Sequence, residues 1–184
     1  ILLSQKYATI TNQTTGTIYT KIGSTASVTV TATGNGLKYR WYERDEGNKG
    51  YQHTSITSNA YSARMTETIS GRQAYCEIED LYGNVVYTNS VTLRSQVAIT
   101  KQPTNATAAI GSTVKTTVTA TGNGLKYQWY YKNPGSSSFS KSSVTSATYS
   151  TTMSTSVNGR QVYCIVTDTY GRTVKSSTVT LSKS

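Results

Sequence analysis

Side chains that carry out chemistry are scarce in this sequence. Its 184 residues include one histidine, two cysteines and eight acidic side chains. With His53 alone there is no Ser-His-Asp set and no Cys-His metal spacing, and neither a phosphate loop nor a dinucleotide fingerprint occurs. Glycoside hydrolysis needs two carboxylates facing each other across a cleft, and residues 95–184 contain Asp168 alone. These absences argue against an enzyme, and no cofactor or metal is expected. No apolar run is long enough to cross a bilayer, and the first residues lack the charged-then-apolar layout of a secretion signal. Helix formers are few. Thr, Ser, Val and Tyr dominate, with Gly and Asn in short clusters, which is the vocabulary of short strands and tight turns.

What the sequence does have is a duplication. TVTATGNGLKY runs from Thr29 to Tyr39 and again from Thr117 to Tyr127, an offset of 117 − 29 = 88. Trp41 and Trp129, Tyr61 and Tyr149, Gly71 and Gly159, Cys76 and Cys164, and Gly83 and Gly171 keep the same offset. From Ile22 onward the halves align without a gap and roughly half the positions are identical. A period of this length is one small domain. The expected division is a domain at 5–94 and a second at 95–184. Residues 1–4 are read as the tail of a preceding repeat, because ILLSQKYATIT resembles the junction VTLRSQVAIT (Val91–Thr100). The chain is then expected to be a piece of a longer array, with signal and anchor elsewhere.

Alternation sets the strands. Ala26, Val28, Val30 and Ala32 recur at period two between Ser and Thr. After the Gly34-Asn35-Gly36 turn, Leu37, Tyr39 and Trp41 continue the apolar side while Lys38, Arg40 and Tyr42 face away. Ala74, Cys76 and Ile78 alternate with Tyr75, Glu77 and Glu79; Val162, Cys164 and Val166 alternate with Tyr163, Ile165 and Thr167. LYGN (Leu81–Asn84) and TYGR (Thr169–Arg172) read as hairpin turns. About seven short strands per repeat, with a buried Trp on the third, describe an all-β sandwich.

G-N-G-L-K-Y-x-W-Y, followed about thirty residues later by N/S-G-R-Q-x-Y-C-x-x-x-D-x-Y-G, resembles the immunoglobulin-like repeats of Gram-positive cell-surface proteins, especially those of gut Firmicutes. The resemblance covers both repeats. It implies two tandem Ig-like β-sandwich domains, with Trp41 and Trp129 on strand C and Cys76 and Cys164 on strand F. The strand B cysteine is replaced by Val30 and Val118. Neither domain can therefore form the inter-sheet disulfide, and the two thiols are expected as small buried hydrophobes beside tryptophan. The tyrosine-corner position holds Ala74 or Val162, so that hydrogen bond is not expected. The resemblance further implies an extracellular location on a bacterial surface and an adhesive role, with mucin-type glycoproteins or host immunoglobulins as targets.

Two special chemistries are weighed and set aside. Glu77, Glu79 and Asp80 could attract calcium, but Glu77 and Glu79 point the same way beside Arg40, and a cross-strand ion pair is the better reading. A Lys–Asn isopeptide lock needs a buried lysine, whereas Lys38 and Lys126 alternate outward.

Shared residues being scaffold, function is sought where the copies differ. Net charge is +10, and residues 1–94 contribute nine basic against seven acidic groups while residues 95–184 contribute nine against one. A basic second repeat attracts anionic surfaces, including teichoic acids, sialylated or sulfated glycans, acidic proteins and nucleic acid, or it simply keeps a polar surface soluble. The connections Glu43–Thr54 and Tyr131–Ser142 diverge, and so does the exposed face of strands C and F. In the first repeat that face reads Lys38, Arg40, Tyr42, Tyr75, Glu77, Glu79, a mixed-charge surface that needs no partner. In the second, Lys126, Gln128, Tyr130, Tyr163 and Ile165, flanked by Arg172 and joined by Tyr131 at the start of the divergent connection, form the candidate protein- or glycan-binding patch. The alternative is a cross-strand ladder that only stabilises the sheet or packs on a neighbouring repeat. The Phe139 loop is a further candidate. Three functions follow in order: an adhesive module, a stalk holding another domain away from the cell wall, and nucleic-acid binding, which rests on charge alone and ranks last.

Overall fold

The computed structural model describes residues 6–184, so the expectation for residues 1–4 lies outside the described residues. Every regular element among the described residues is a strand. The chain divides between Ser95 and Gln96 into two compact units.

In unit 1 the strands are β1 (Thr9–Gln13), β2 (Thr17–Lys21), β3 (Thr25–Thr33), β4 (Lys38–Arg44), β5 (Gln52–His53), β6 (Ala60–Arg64), β7 (Gln73–Glu79), β8 (Val85–Tyr87) and β9 (Val91–Gln96). One sheet has the order β1-β3-β6; the other has the order β2-β9-β7-β4-β5, with β8 also on β7. The two inner faces meet in a core of Val28, Val30, Trp41, Tyr61, Met65, Cys76, Ile78 and Leu93. The alternation read from the sequence is the burial pattern of β7, where Ala74, Cys76 and Ile78 are fully buried between half-exposed neighbours. Trp41 sits directly across from Cys76 on the neighbouring strand, 5.6 Å from the ring of Tyr61. Its indole N–H is not left unpaired: it donates to the Ser58 carbonyl at 2.8 Å.

Unit 2 repeats the plan with β10 (Ala98–Lys101), β11 (Ala106–Ala108), β12 (Thr113–Thr117), β13 (Thr119–Thr121), β14 (Lys126–Lys132), β15 (Ser140–Lys141), β16 (Thr148–Thr152), β17 (Arg160–Thr167), β18 (Thr173–Lys175) and β19 (Val179–Lys183). Pairs β10-β13 and β12-β16 form one layer; β11-β19-β17-β14-β15, with β18 on β17, forms the other. Trp129 faces Cys164 and donates to the Ser146 carbonyl at 2.9 Å. Val30 and Val118, each 1% exposed, occupy the places of the missing cysteines, and Cys76 and Cys164 are free and fully buried. Burial pushes both thiols up to about 11.

Three readings change. The Glu43–Thr54 connection is not simply a divergent loop. It is a hairpin that returns β5 to the edge of β4, pairing Tyr42 with His53, and the chain then crosses to β6. The expected seven strands become nine and ten: in both units the first strand divides into two pieces and the last breaks, at Thr88–Ser90 and at Ser176–Thr178, and in unit 2 the counterpart of β3 also breaks at Val118 into β12 and β13. Asp80 does not belong with Glu77 and Glu79. It is 2% exposed and accepts from the backbone N–H groups of Ala8, Tyr82 and Asn84 and from the Asn84 amide, so it ties the start of the domain to the β7–β8 turn.

Candidate functional site

The outer face of the β14–β17 sheet is built by strand parity. Trp129 and Cys164 point in, so Tyr130 and Tyr163, their chain neighbours, point out and stand opposite each other. Their rings stack with centroids 5.1 Å apart at 12°. That separation nearly matches the spacing between strands, so the rings stand side by side on edge. Lys141 of β15 pairs with Tyr130, extending the row on one side. On the other side Lys175 of β18 places its ammonium 4.0 Å from the centre of the Tyr163 ring. Phe139 meets the same ring edge-on at 4.8 Å, with Lys132 5.3 Å from the Phe139 centroid. Across four strands the row reads Lys141, Tyr130, Tyr163, Lys175.

Unit 1 carries the same row with other ends. His53 meets Tyr42 at 5.4 Å, Tyr42 stacks on Tyr75 at 5.1 Å and 10°, and Tyr75 lies 6.2 Å from Tyr87. Tyr51 takes the place of Phe139, 4.8 Å from Tyr75, with the Arg44 guanidinium 4.9 Å from the Tyr51 centroid. The face expected to need no partner is therefore the more aromatic of the two. What differs is charge. In unit 1 Arg40 is held by Glu77 at 2.7 Å and by Glu79. Arg72 is held by Asp45 at 2.6 Å and Glu43 at 2.9 Å. These hydrogen bonds hold the Arg40 guanidinium above its ordinary range. The negative charge of Glu77 is the main cause that raises the neighbouring phenol of Tyr87.

Unit 2 has lost every one of those acids. At the 88-residue offset Gln128 stands for Arg40, Ile165 and Thr167 for Glu77 and Glu79, and Tyr131 and Asn133 for Glu43 and Asp45. Arg160, the counterpart of Arg72, hydrogen bonds to Asn133 at 2.7 Å and lies 4.7 Å from the Tyr131 centroid. The one acidic side chain of unit 2, Asp168, is 3% exposed. It accepts the N–H groups of Tyr170 and Arg172 through Oδ1, while its Oδ2 has no hydrogen-bond partner.

Not all of the sequence-selected residues meet on this face. Lys126, Tyr130, Tyr163 and Ile165 share it. Tyr131 does not: one residue on from Tyr130, it turns to the opposite side, packing on the core and on Arg160. Gln128 shares the face, but its amide already donates to the carbonyls of Trp129 and Ser142, so it completes the sheet edge. Arg172 lies in the turn beyond Thr167, toward the Lys126 end. Sequence reasoning left Lys132, Lys141 and Lys175 out of the patch and named Phe139 only through its loop. The signal for them is the repeat offset, which aligns Tyr87 with Lys175, Tyr51 with Phe139 and His53 with Lys141.

No family model and no curated protein matches the sequence. Solved structures do match. The N-terminal four Ig domains of Dscam1 isoform 9.44 align with a TM-score of 0.57 and 15% identity, over 99% of this chain and 47% of that one. Isoform 7.44 of the same protein gives 0.52 and 16%, over 97% and 46%. The N-terminal eight Ig domains of Down Syndrome Cell Adhesion Molecule isoform 1.30.30 give 0.50 and 15%, over 98% and 24%. The chain is a tandem of immunoglobulin-like β-sandwiches. It spans about half the length, or less, of the Ig arrays it matches, and identity this low carries the fold and nothing about ligands.

Proposed function

We propose that this tandem is a non-catalytic, extracellular binding module of a bacterial surface protein that recognises a host protein or glycan through the outer face of unit 2. The observation that carries this reading is the row Lys141, Tyr130, Tyr163, Lys175 on a sheet whose outward positions on β14, β15, β17 and β18 hold no acid. Tyrosine supplies contact area at low entropy cost, and uncompensated lysines speed encounter with an anionic partner. The neighbouring folds belong to proteins named for cell adhesion, and the sequence motif resembles Gram-positive surface repeats; both are consistent with such a role. Linked copies of a weak site would gain avidity.

A stalk is the second reading, and the unit 1 row favours it. There the same tyrosine stack sits on a face where Arg40 is already paired with Glu77 and Glu79, so the stack can serve the sheet alone. Pull-down of mucins and of serum and secretory immunoglobulins, at physiological and at high salt, separates the two. A partner retained in high salt and lost in Tyr163→Ala or Ile165→Ala establishes recognition by unit 2. Capture that vanishes with salt leaves only a basic surface, and no capture supports the stalk.

A further inference from the structure

The covering of the ring faces narrows the ligand. Tyr163 has Tyr130 stacked on it, the Lys175 ammonium 4.0 Å from its centroid and the edge of Phe139 at 4.8 Å. A stacking platform for nucleobases, or for the flat face of a sugar ring, needs an open aromatic face. Tyr163 offers none, and one face of Tyr130 is taken by Tyr163. What the row turns outward is ring edges and two exposed ammonium groups, Lys141 and Lys175, one at each end. The four strands stand side by side in the order β15-β14-β17-β18, so the row spans about 14 Å at the usual strand spacing.

Charge on this face is of one sign. Lys126, Lys132, Lys141 and Lys175 belong to it, and the acids that neutralise the matching face of unit 1 are Ile165 and Thr167 here. A protein partner takes hold through aromatic, arginine or aliphatic anchors in desolvated pockets, and the aromatic rings of this face, Tyr130, Tyr163 and Phe139, are packed on one another. Here Ile165 is the sole aliphatic side chain on the outward positions of β14, β15, β17 and β18. The cleft beside Lys126, about 430 Å³, is lined by Leu125, Tyr127, Gln128, Thr145 and Thr167, with the two threonine hydroxyls as the polar groups left to meet a ligand beside the Lys126 ammonium.

We propose that the face of unit 2 is a polyanion site, with an acidic polysaccharide lying across the strands and its sulfate or carboxylate groups meeting the ammonium ends of the row. This rests on the binding-module reading and names its ligand class.

The test uses the intact chain. Affinity is measured near physiological salt for heparin and chondroitin sulfate, for hyaluronan as the carboxylate-only probe, for polyglutamate and for neutral dextran. Two double variants remove equal charge: Lys141→Gln with Lys175→Gln in the row, and Lys101→Gln with Lys115→Gln on the opposite sheet. All four lysines are exposed, and thermal melting confirms that each variant folds. The expected result is binding to at least one acidic polysaccharide and none to dextran. The row variant should weaken it about three- to tenfold, the scale of two exposed charge contacts, and the opposite-sheet variant should change it less than about twofold. Preference among the sulfated probes and hyaluronan then identifies the anionic group. Equal loss in both variants, tighter binding to polyglutamate than to any polysaccharide, or no polysaccharide binding overturns the proposal. A host partner captured as above and still held after its sulfate and sialate are removed would sink this inference while leaving the binding-module reading intact.

Discussion

Cys76 and Cys164 show how one position can keep a role after losing its chemistry. Each thiol faces a tryptophan across the strand pair and is fully buried. A valine stands where a disulfide partner would be, so the pair fills core volume without cross-linking the sheets. Burial raises both thiols to about 11, which leaves little thiolate at neutral pH and shields that little from reagents. We predict no alkylation by a soluble maleimide at pH 7.5 in the folded chain and two labels per molecule in guanidinium, read by intact mass. One fast label in the folded state would mean that one core opens far more readily than its packing implies.

At the scale of elements, the duplicated GNG turn explains why its letters are kept. Gly122 has φ +148, and a Cβ there would lie 3.1 Å from the Val97 Cα and 2.8 Å from a Leu125 methyl; Gly34 sits in the same way against Ala8 and Leu37. The turn is thus where the domain's first strand is received, and a side chain would push that strand away. Gly171, in the β17–β18 turn at φ +78, has open space around it. Gly171→Ala should therefore cost only the left-handed backbone term, about 1–2 kcal/mol. Gly122→Ala should cost more, because the Val97 backbone must also shift. Denaturant midpoints of the two variants check the order, and equal costs would remove the close approach as the reason for the glycine. The strands, the parity of the outer face and the Arg40–Glu77 pairing were all legible from alternation, since a period-two pattern assigns each side chain a face. The row was legible only in its middle. Its ends come from two- and three-residue strands, β15 and β18, too short for any period to show, and Tyr131 was misplaced because the connection was read as a loop where β14 still runs. Asp80 was misread for a related reason: its parity is inward, but nothing local shows that the N–H of Ala8, far away in sequence, comes to meet it.

For the whole molecule the decisive asymmetry is in carboxylates, and it was readable from composition: seven acids in the first repeat, one in the second. The structure adds where they act. Unit 1 holds Arg40 and Arg72 with four of its acids, where unit 2 has Ile165, Thr167, Tyr131 and Asn133. Asp80 does have a buried counterpart in Asp168, but Oδ2 of Asp80 accepts from the Ala8 N–H and the Asn84 amide, whereas Oδ2 of Asp168 has no hydrogen-bond partner. Burial works to raise the Asp80 carboxyl, but the hydrogen bonds from Ala8, Asn84 and Tyr82 outweigh it and hold it below its ordinary value. A group depressed in the folded state stabilises fully above its unfolded value, near 4, and that stability is lost as pH falls through the folded value. Acid should therefore act on the two halves differently. We predict that calorimetry at pH 7 and again near pH 3 shows one transition moving to lower temperature while the other moves much less. Trp41→Ala and Trp129→Ala, each expected to cost about 3–5 kcal/mol in its own core, assign the transitions. The moving one should be that lost in Trp41→Ala, and Asp80→Asn should shrink its pH dependence. If both transitions shift equally, the ion pairs and the Asp80 seat do not set the acid stability of unit 1, and its carboxylates would have to be credited with charge balance alone.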